Sequence, residues 1–254
     1  MRPSSYLSLL LLSLSSSLAL THAIPLPLEQ RNTVLNEFLT ALLNHLPNIN
    51  VAINDATSII TNLDNLLAKL IGATTTQNQF RSGGPCAEYT LIWARGTSEP
   101  GNMGVLVGPP LVWALQDVVG TSGLTIQGVN HYSASVAGYL EGGDPSGSSN
   151  MASLISEAYS SCPNTKLIAA GYSQGCQVTH NAISQLDATT AAWIDKVLLF
   201  GDPDNGQAIP NVDSANVYTA CHNGDNICDN GDLILVPHLT YAENVVAAAA
   251  FATA

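Results

Sequence analysis

Three side chains in the C-terminal half of this 254-residue chain have the types and the order needed to attack an electrophilic carbon. "GYSQG" at 171–175 sets Ser173 between two glycines, two positions from each. The run before it, 165–170, is short and apolar enough for a buried strand. Gln174 to Leu186 contains no proline and no glycine beyond Gly175, so it can run on as a helix. A strand that turns sharply into a helix at this point needs glycine on both flanks, and it holds the serine hydroxyl clear of the backbone as a nucleophile. Alone, the pattern is a weak signal in a chain with 20 glycines, and its weight depends on the partners it finds.

A serine hydroxyl at neutral pH needs a base within hydrogen-bond reach, and the base needs an acid to orient it. After an elbow of this kind the chain order is serine, acid, histidine. His180 lies two turns along the same helix, roughly 10 Å from the serine. His222 precedes every acid of its own loop. His238, after "LILVP", is left as the base. The acid reading favours Asp225 in "CHNGDNICDNG", because Cys221 and Cys228 bracket it. A bridge between those two would close a loop of eight residues, contributing about 2.5 kcal/mol and stiffening the carboxylate. Asp202 and Asp204 in "FGDPDNG", together with Asp229 and Asp232, remain rivals, since turns rich in Gly and Pro favour aspartate for purely structural reasons.

The elements that must position these groups alternate in type. "YTLIWARG" (89–96), "LTIQGV" (124–129), "TKLIAAG" (165–171), "KVLLFG" (196–201) and "NVYTAC" (216–221) read as five strands. Helices are expected near 108–119, 148–161, 174–186 and 241–252. That alternation predicts an α/β fold, a three-layer sandwich with a central five-stranded parallel sheet, whose ligands sit beyond the carboxyl ends of the strands. Residues 24–85 form an N-terminal helical extension and linker, and 86–254 the catalytic domain. Within the extension, Val34, Leu35, Phe38, Leu39, Leu42, Leu43 and Leu46 make one helical face that stops at Pro47. A second face runs from Ile53 to Ile71, with Gly72 as its C-cap. Residues 73–85, "ATTTQNQFRSGGP", read as a polar linker.

Residues 1–23 have one basic residue, a leucine-rich stretch broken by serines, and small residues up to Ala23. This is the layout of a secretory signal cleaved after Ala23, and no other stretch reaches the roughly 20 apolar residues of a membrane span. The expected product is extracellular. Net charge is −12 for the whole chain and −13 once Arg2 is removed. Six scattered basic residues cannot track phosphates, so nucleic acid is not an expected partner, and an uncharged or apolar substrate fits best. Export favours disulfides, yet Cys86, Cys162, Cys176, Cys221 and Cys228 are odd in number, so one is expected to stay free. No Cys/His spacing suits zinc, and no metal or cofactor is called for.

"GYSQG", "CHNGDNIC" and "PHLTY", together with "ARGTSEPGNMG" at 94–104, resemble the fungal cutinases, small secreted serine esterases of the α/β-hydrolase fold. The likeness runs from about Cys86 to the C-terminal helix. It implies a triad of Ser173, Asp225 and His238, and an oxyanion hole from the backbone N–H groups of Thr97 and Gln174. It implies disulfides Cys86–Cys162 and Cys221–Cys228, which leave Cys176 as a buried thiol. It also implies a monomer that cleaves polyester or lipid esters at an interface without a cofactor, with Leu233, Ile234 and Leu239 near the base receiving the acyl chain. An acetylxylan esterase shares the same catalytic plan, and a non-catalytic surface-binding protein is the alternative from another class. The helices at 32–72 depart from the most compact relatives and can be a lid, a packed extension or a pro-segment.

Overall fold

The computed structural model describes residues 33–84 and 86–254, so the signal-like segment and the proline-rich 24–31 lie outside the described residues. The chain enters through helix α1 (Thr33–His45), a three-residue strand β1 (Asn50–Ala52) and helix α2 (Ile53–Ile71). α1 ends two residues before Pro47, which cannot continue a helix. α2 ends at Gly72, whose φ of 70° and N–H bond to the Ala68 carbonyl close the last turn. Strand β2 (Tyr89–Ala94), helix α3 (Gly108–Val119), strand β3 (Leu124–Gly128) and helices α4 (Val136–Leu140) and α5 (Pro145–Ser161) follow. Then come β4 (Lys166–Tyr172), α6 (Gln174–Ser184), α7 (Ala188–Trp193), β5 (Lys196–Phe200), β6 (Val217–Ala220), β7 (Leu233–Leu235) and α8 (Val245–Ala252).

The central sheet has five strands in the order β3-β2-β4-β5-β6, all parallel. Every residue of β2 and β3 is buried, as expected of strands covered on both faces. Alternation along a strand divides the core in two. Leu91, Trp93, Leu198 and Phe200 face α3, α8 and the N-terminal helices. Ile92, Ala94, Leu167, Ala169, Val197 and Leu199 face α5 and α6. The buried stripes of α1 (Leu35, Phe38, Leu42) and α2 (Ile60, Leu63, Leu67) belong to the first of these cores. The Phe38 ring meets Trp113 of α3 edge-on at 5.8 Å.

Several boundaries differ from the sequence reading for identifiable reasons. α5 starts at Pro145 rather than 148, because the Asp144 side chain caps it by accepting from the Gly147 N–H at 2.8 Å, with proline next in line. The last helix is two pieces, a 3-10 turn at Tyr241–Asn244 and α8. Residues 73–84 are more than a connector. The Gln79 N–H donates to the Ile126 carbonyl and the Gly128 N–H to the Gln77 carbonyl, both at 2.9 Å, and Asn78 bridges Gln127, so this polar run closes the outer edge of β3. β1 pairs antiparallel with β7, with Asn50 opposite Leu235 and Ala52 opposite Leu233. That pairing ties the N-terminal extension to the strand that leads into His238.

Candidate active site

The chain reaches Ser173 at the carboxyl end of β4, the central strand of the sheet. Its φ of 55° and ψ of −124° lie where non-glycine residues are strained, at a cost on the order of 1–3 kcal/mol. The flanking glycines permit it. A Cβ on Gly171 would sit 2.3 Å from the Gly175 carbonyl oxygen, and one on Gly175 would sit 2.0 Å from that of Ala94. The next residue, Gln174, opens α6, so its backbone N–H is one of the first-turn donors that lack an intrahelical acceptor.

His238 stands in a 3-10 turn just past β7, and Asp225 starts another between the bridged Cys221 and Cys228. The structure brings the three groups together. The Ser173 hydroxyl lies 2.9 Å from His238 Nε2, and His238 Nδ1 lies 2.8 Å from Asp225 Oδ2. With Nδ1–H donating to the carboxylate, Nε2 is left with a lone pair for the serine proton. Burial pushes the Asp225 carboxyl up, but hydrogen bonds from His238 and Tyr241, with the charge of His238, outweigh it and hold it below its ordinary value. All three residues are buried, at 3 %, 1 % and 2 % exposure for Ser173, His238 and Asp225. Such an arrangement can deprotonate the serine as it attacks a carbonyl and stabilise the imidazolium that forms.

The rival groups stand apart from Ser173: Asp204 accepts from the Gln207 amide at 2.9 Å, and Asp229 and Asp232 are exposed. Asp202 pairs with His180 Nε2 at 3.0 Å, and both are buried. His222 stacks on Tyr241 at 4.2 Å and bonds to Asn244 Oδ1 at 2.7 Å. Cys86 is bridged to Cys162, and Cys176 is a buried free thiol whose Sγ–H donates to the Gly171 carbonyl at 3.2 Å. Burial pushes that thiol well above its usual value, which keeps it inert. Thr97 lies beside the elbow, and the Gln174 side-chain Nε2 donates to its Oγ1 at 2.9 Å and to the Ser135 carbonyl at 2.7 Å. Of the three residues assigned to the acyl chain, Ile234 and Leu239 are 1 % exposed and sit in the main core, and only Leu233, at 37 %, reaches the surface. Among the described residues no group of three or more His, Cys, Asp or Glu converges as a metal site.

Two supporting residues escaped the sequence reading. Glu99 is buried and accepts from the N–H groups of Gly96, Val105 and Leu106 at 2.8–2.9 Å, which shapes the loop carrying Thr97. Tyr241 donates to Asp225 Oδ2 at 2.6 Å while accepting from the His222 N–H. Tyr241→Phe is expected to lower stability by about 1.5–3 kcal/mol at pH 7, the range for a hydrogen bond to a charged group. Asp225 has a depressed folded-state pKa, so its stabilisation is present above the ordinary carboxylate value of about 4 and fades as pH falls through the folded-state value. The Tyr241→Phe deficit should therefore shrink between pH 7 and pH 3, as read by urea unfolding. An equal deficit at both ends would mean that Tyr241 acts through packing alone.

A parallel sheet with a strained serine at the end of its central strand, backed by histidine and aspartate, defines a serine hydrolase of the α/β-hydrolase class. The Cutinase family model matches residues 85–254, and the chain belongs to the cutinase family. It is 47 % identical over 217 residues to a cutinase of Hypocrea jecorina, covering 85 % of this chain and 84 % of that protein. That match is longer than the family span and so enters the N-terminal helices, further than the motifs alone suggested. Among solved structures it is similar to the Trichoderma reesei cutinase in complex with a C11Y4 phosphonate inhibitor. The identity there is 45 %, the TM-score is 0.71, and 86 % of this chain and 96 % of that one are covered. An acetylxylan esterase structure, at 21 % identity and TM-score 0.54 over 66 % of this chain and 98 % of that one, shares the fold.

Proposed function

We propose that the protein is an extracellular cutinase that cleaves the ester bonds of a cutin-type polyester, and of short-chain or lipid esters, through an acyl-enzyme on Ser173. His238 takes the serine proton during attack, hands it to the leaving alcohol, and then activates water to release the acid. Asp225 holds the imidazole in the tautomer this requires. The oxyanion is received by the backbone N–H groups of Gln174 and Thr97, the first favoured by the positive end of the α6 dipole. The observation that carries the reading is the unbroken hydrogen-bond chain from Ser173 through His238 to Asp225. Among the described residues no helix is long and apolar enough to cross a membrane, and the signal-like N-terminus supports secretion; in this reading the enzyme acts as a monomer at an ester surface.

The N-terminal helices belong to this reading as a lid. Ser173 is only 3 % exposed, which favours a catalytic end that opens further to admit a polymer ester. The extension is tied to the strand that leads into His238 by the β1–β7 pairing, which supports a lid placed at this end. A pro-segment discarded on maturation fits less well, because cutting away α1 and α2 would strip Phe38, Leu42 and Leu67 from the main core. Covalent labelling by an organophosphonate followed by peptide mapping tests the catalytic assignment. The label is expected on Ser173 alone, and a label on any other residue would overturn it.

A further inference from the structure

The buried face of α2 is apolar at Ile53, Ala56, Ile60, Leu63 and Leu67, and among these it carries one carboxylic acid, Asp64. The residue is 1 % exposed, and among the described residues neither of its oxygens has a hydrogen-bond partner. Burying an unpaired carboxylate costs far more than burying the neutral acid. Burial, and after it the charge of Glu99, accordingly pushes this carboxyl well above the usual range.

Among the described residues no cation pairs with it. Glu99 faces it from the loop after β2, and there burial raises the carboxyl too, against three backbone N–H bonds and Arg95. Tyr172, at the end of β4, lies within the field of Asp64. α1 brings Glu37 and His45, and α2 itself brings Asp55 and Lys69, all at exposed positions. β7 has no ionisable residue, and Asp232 just ahead of it meets α2 only through its carbonyl, which accepts from the Ile53 N–H at the opposite end of the helix.

We propose that Asp64 is a proton-operated latch on α2, which lies shut over the catalytic end while the acid is neutral and is driven outward when the acid ionises and takes up water. The inference rests on reading the N-terminal helices as a lid. Its sign follows from linkage. In the open form the carboxyl is hydrated and returns to a value near 4. The closed form therefore has its full advantage below about pH 4, and loses it about tenfold per pH unit above that, until the pH passes the closed-state value.

Amide hydrogen exchange on the whole chain measures this without substrate. Protection factors for residues 53–71 between pH 4 and pH 8 should fall by up to about tenfold per pH unit in the unaltered protein. In Asp64→Asn, which keeps the shape and removes the charge, they should stay flat, and Asp64→Leu serves as a second neutral variant should the amide not fold. The same slope in the unaltered protein and in the neutral variants, no slope at all, or an equal loss across the central sheet would each overturn the latch. The assay does not involve ester cleavage, so it gives its answer even if the catalytic assignment fails. If the slope appears while an oil interface leaves activity unchanged at every pH, α2 opens as Asp64 ionises without gating the catalytic end, and the latch and the lid reading both fall; interface activation without the slope overturns the latch alone.

Discussion

Alanine at position 173 is expected to lower kcat on a p-nitrophenyl ester by about six orders of magnitude and to leave KM nearly unchanged. The variant removes the one atom that His238 can deprotonate from 2.9 Å away, and the attack then has no nucleophile within the site. Residual turnover of a few thousand-fold over water should remain, since oxyanion donors and substrate binding survive the change. The fold should survive as well. Alanine must adopt the same φ of 55° that serine adopts, so the strain is common to both, and melting temperatures are expected to agree within a few degrees. Steady-state kinetics beside a melting curve read both quantities. Activity within a hundredfold of the unaltered enzyme, in a variant that melts normally, would remove Ser173 from the mechanism.

Asp225→Asn should cost about 10⁴ in kcat, for a reason that is one of tautomers rather than of charge alone. The carboxylate accepts from His238 Nδ1–H at 2.8 Å, and that bond leaves Nε2 free to receive the serine proton. An asparagine amide that presents its NH2 group to Nδ1 moves the imidazole proton to Nε2, where it faces the serine and blocks transfer. The loop itself should hold its shape, because the Cys221–Cys228 bridge is untouched. Comparing the phosphonate labelling rate of Ser173 in the two proteins reads the effect at the first chemical step. A loss below tenfold would pass the acid role to another group, and Asp202 is a poor candidate because His180 already engages it.

The choice between those two aspartates shows where reading a sequence stops. Both stand beside glycine in polar turns, and the His180 that occupies Asp202 identifies itself only once α6 packs against the β5 loop. The five central strands were readable because each is a short apolar run bounded by turn residues, and every one lies within a residue or two of its expected limits. β1 was not, since "NVA" is too short to show a period and gains its identity from β7. Ile234 and Leu239 lie in the main buried cluster, and hydrophobicity in a sequence cannot tell a pocket wall from a core. Asp64 was invisible for the opposite reason. An apolar stripe is recognised by its majority, and one acid within it looks like an interruption rather than a component.

The polar run 73–84 bears on any attempt to trim this protein to its catalytic portion. A chain begun at Cys86 keeps all but the first residue of the family span but uncovers the amide and carbonyl of Ile126 and the amide of Gly128 along the rim of the sheet. Bare strand rims recruit other strands, and identical copies in solution are the nearest supply. What looks like dispensable upstream sequence thus also acts as a guard against self-association.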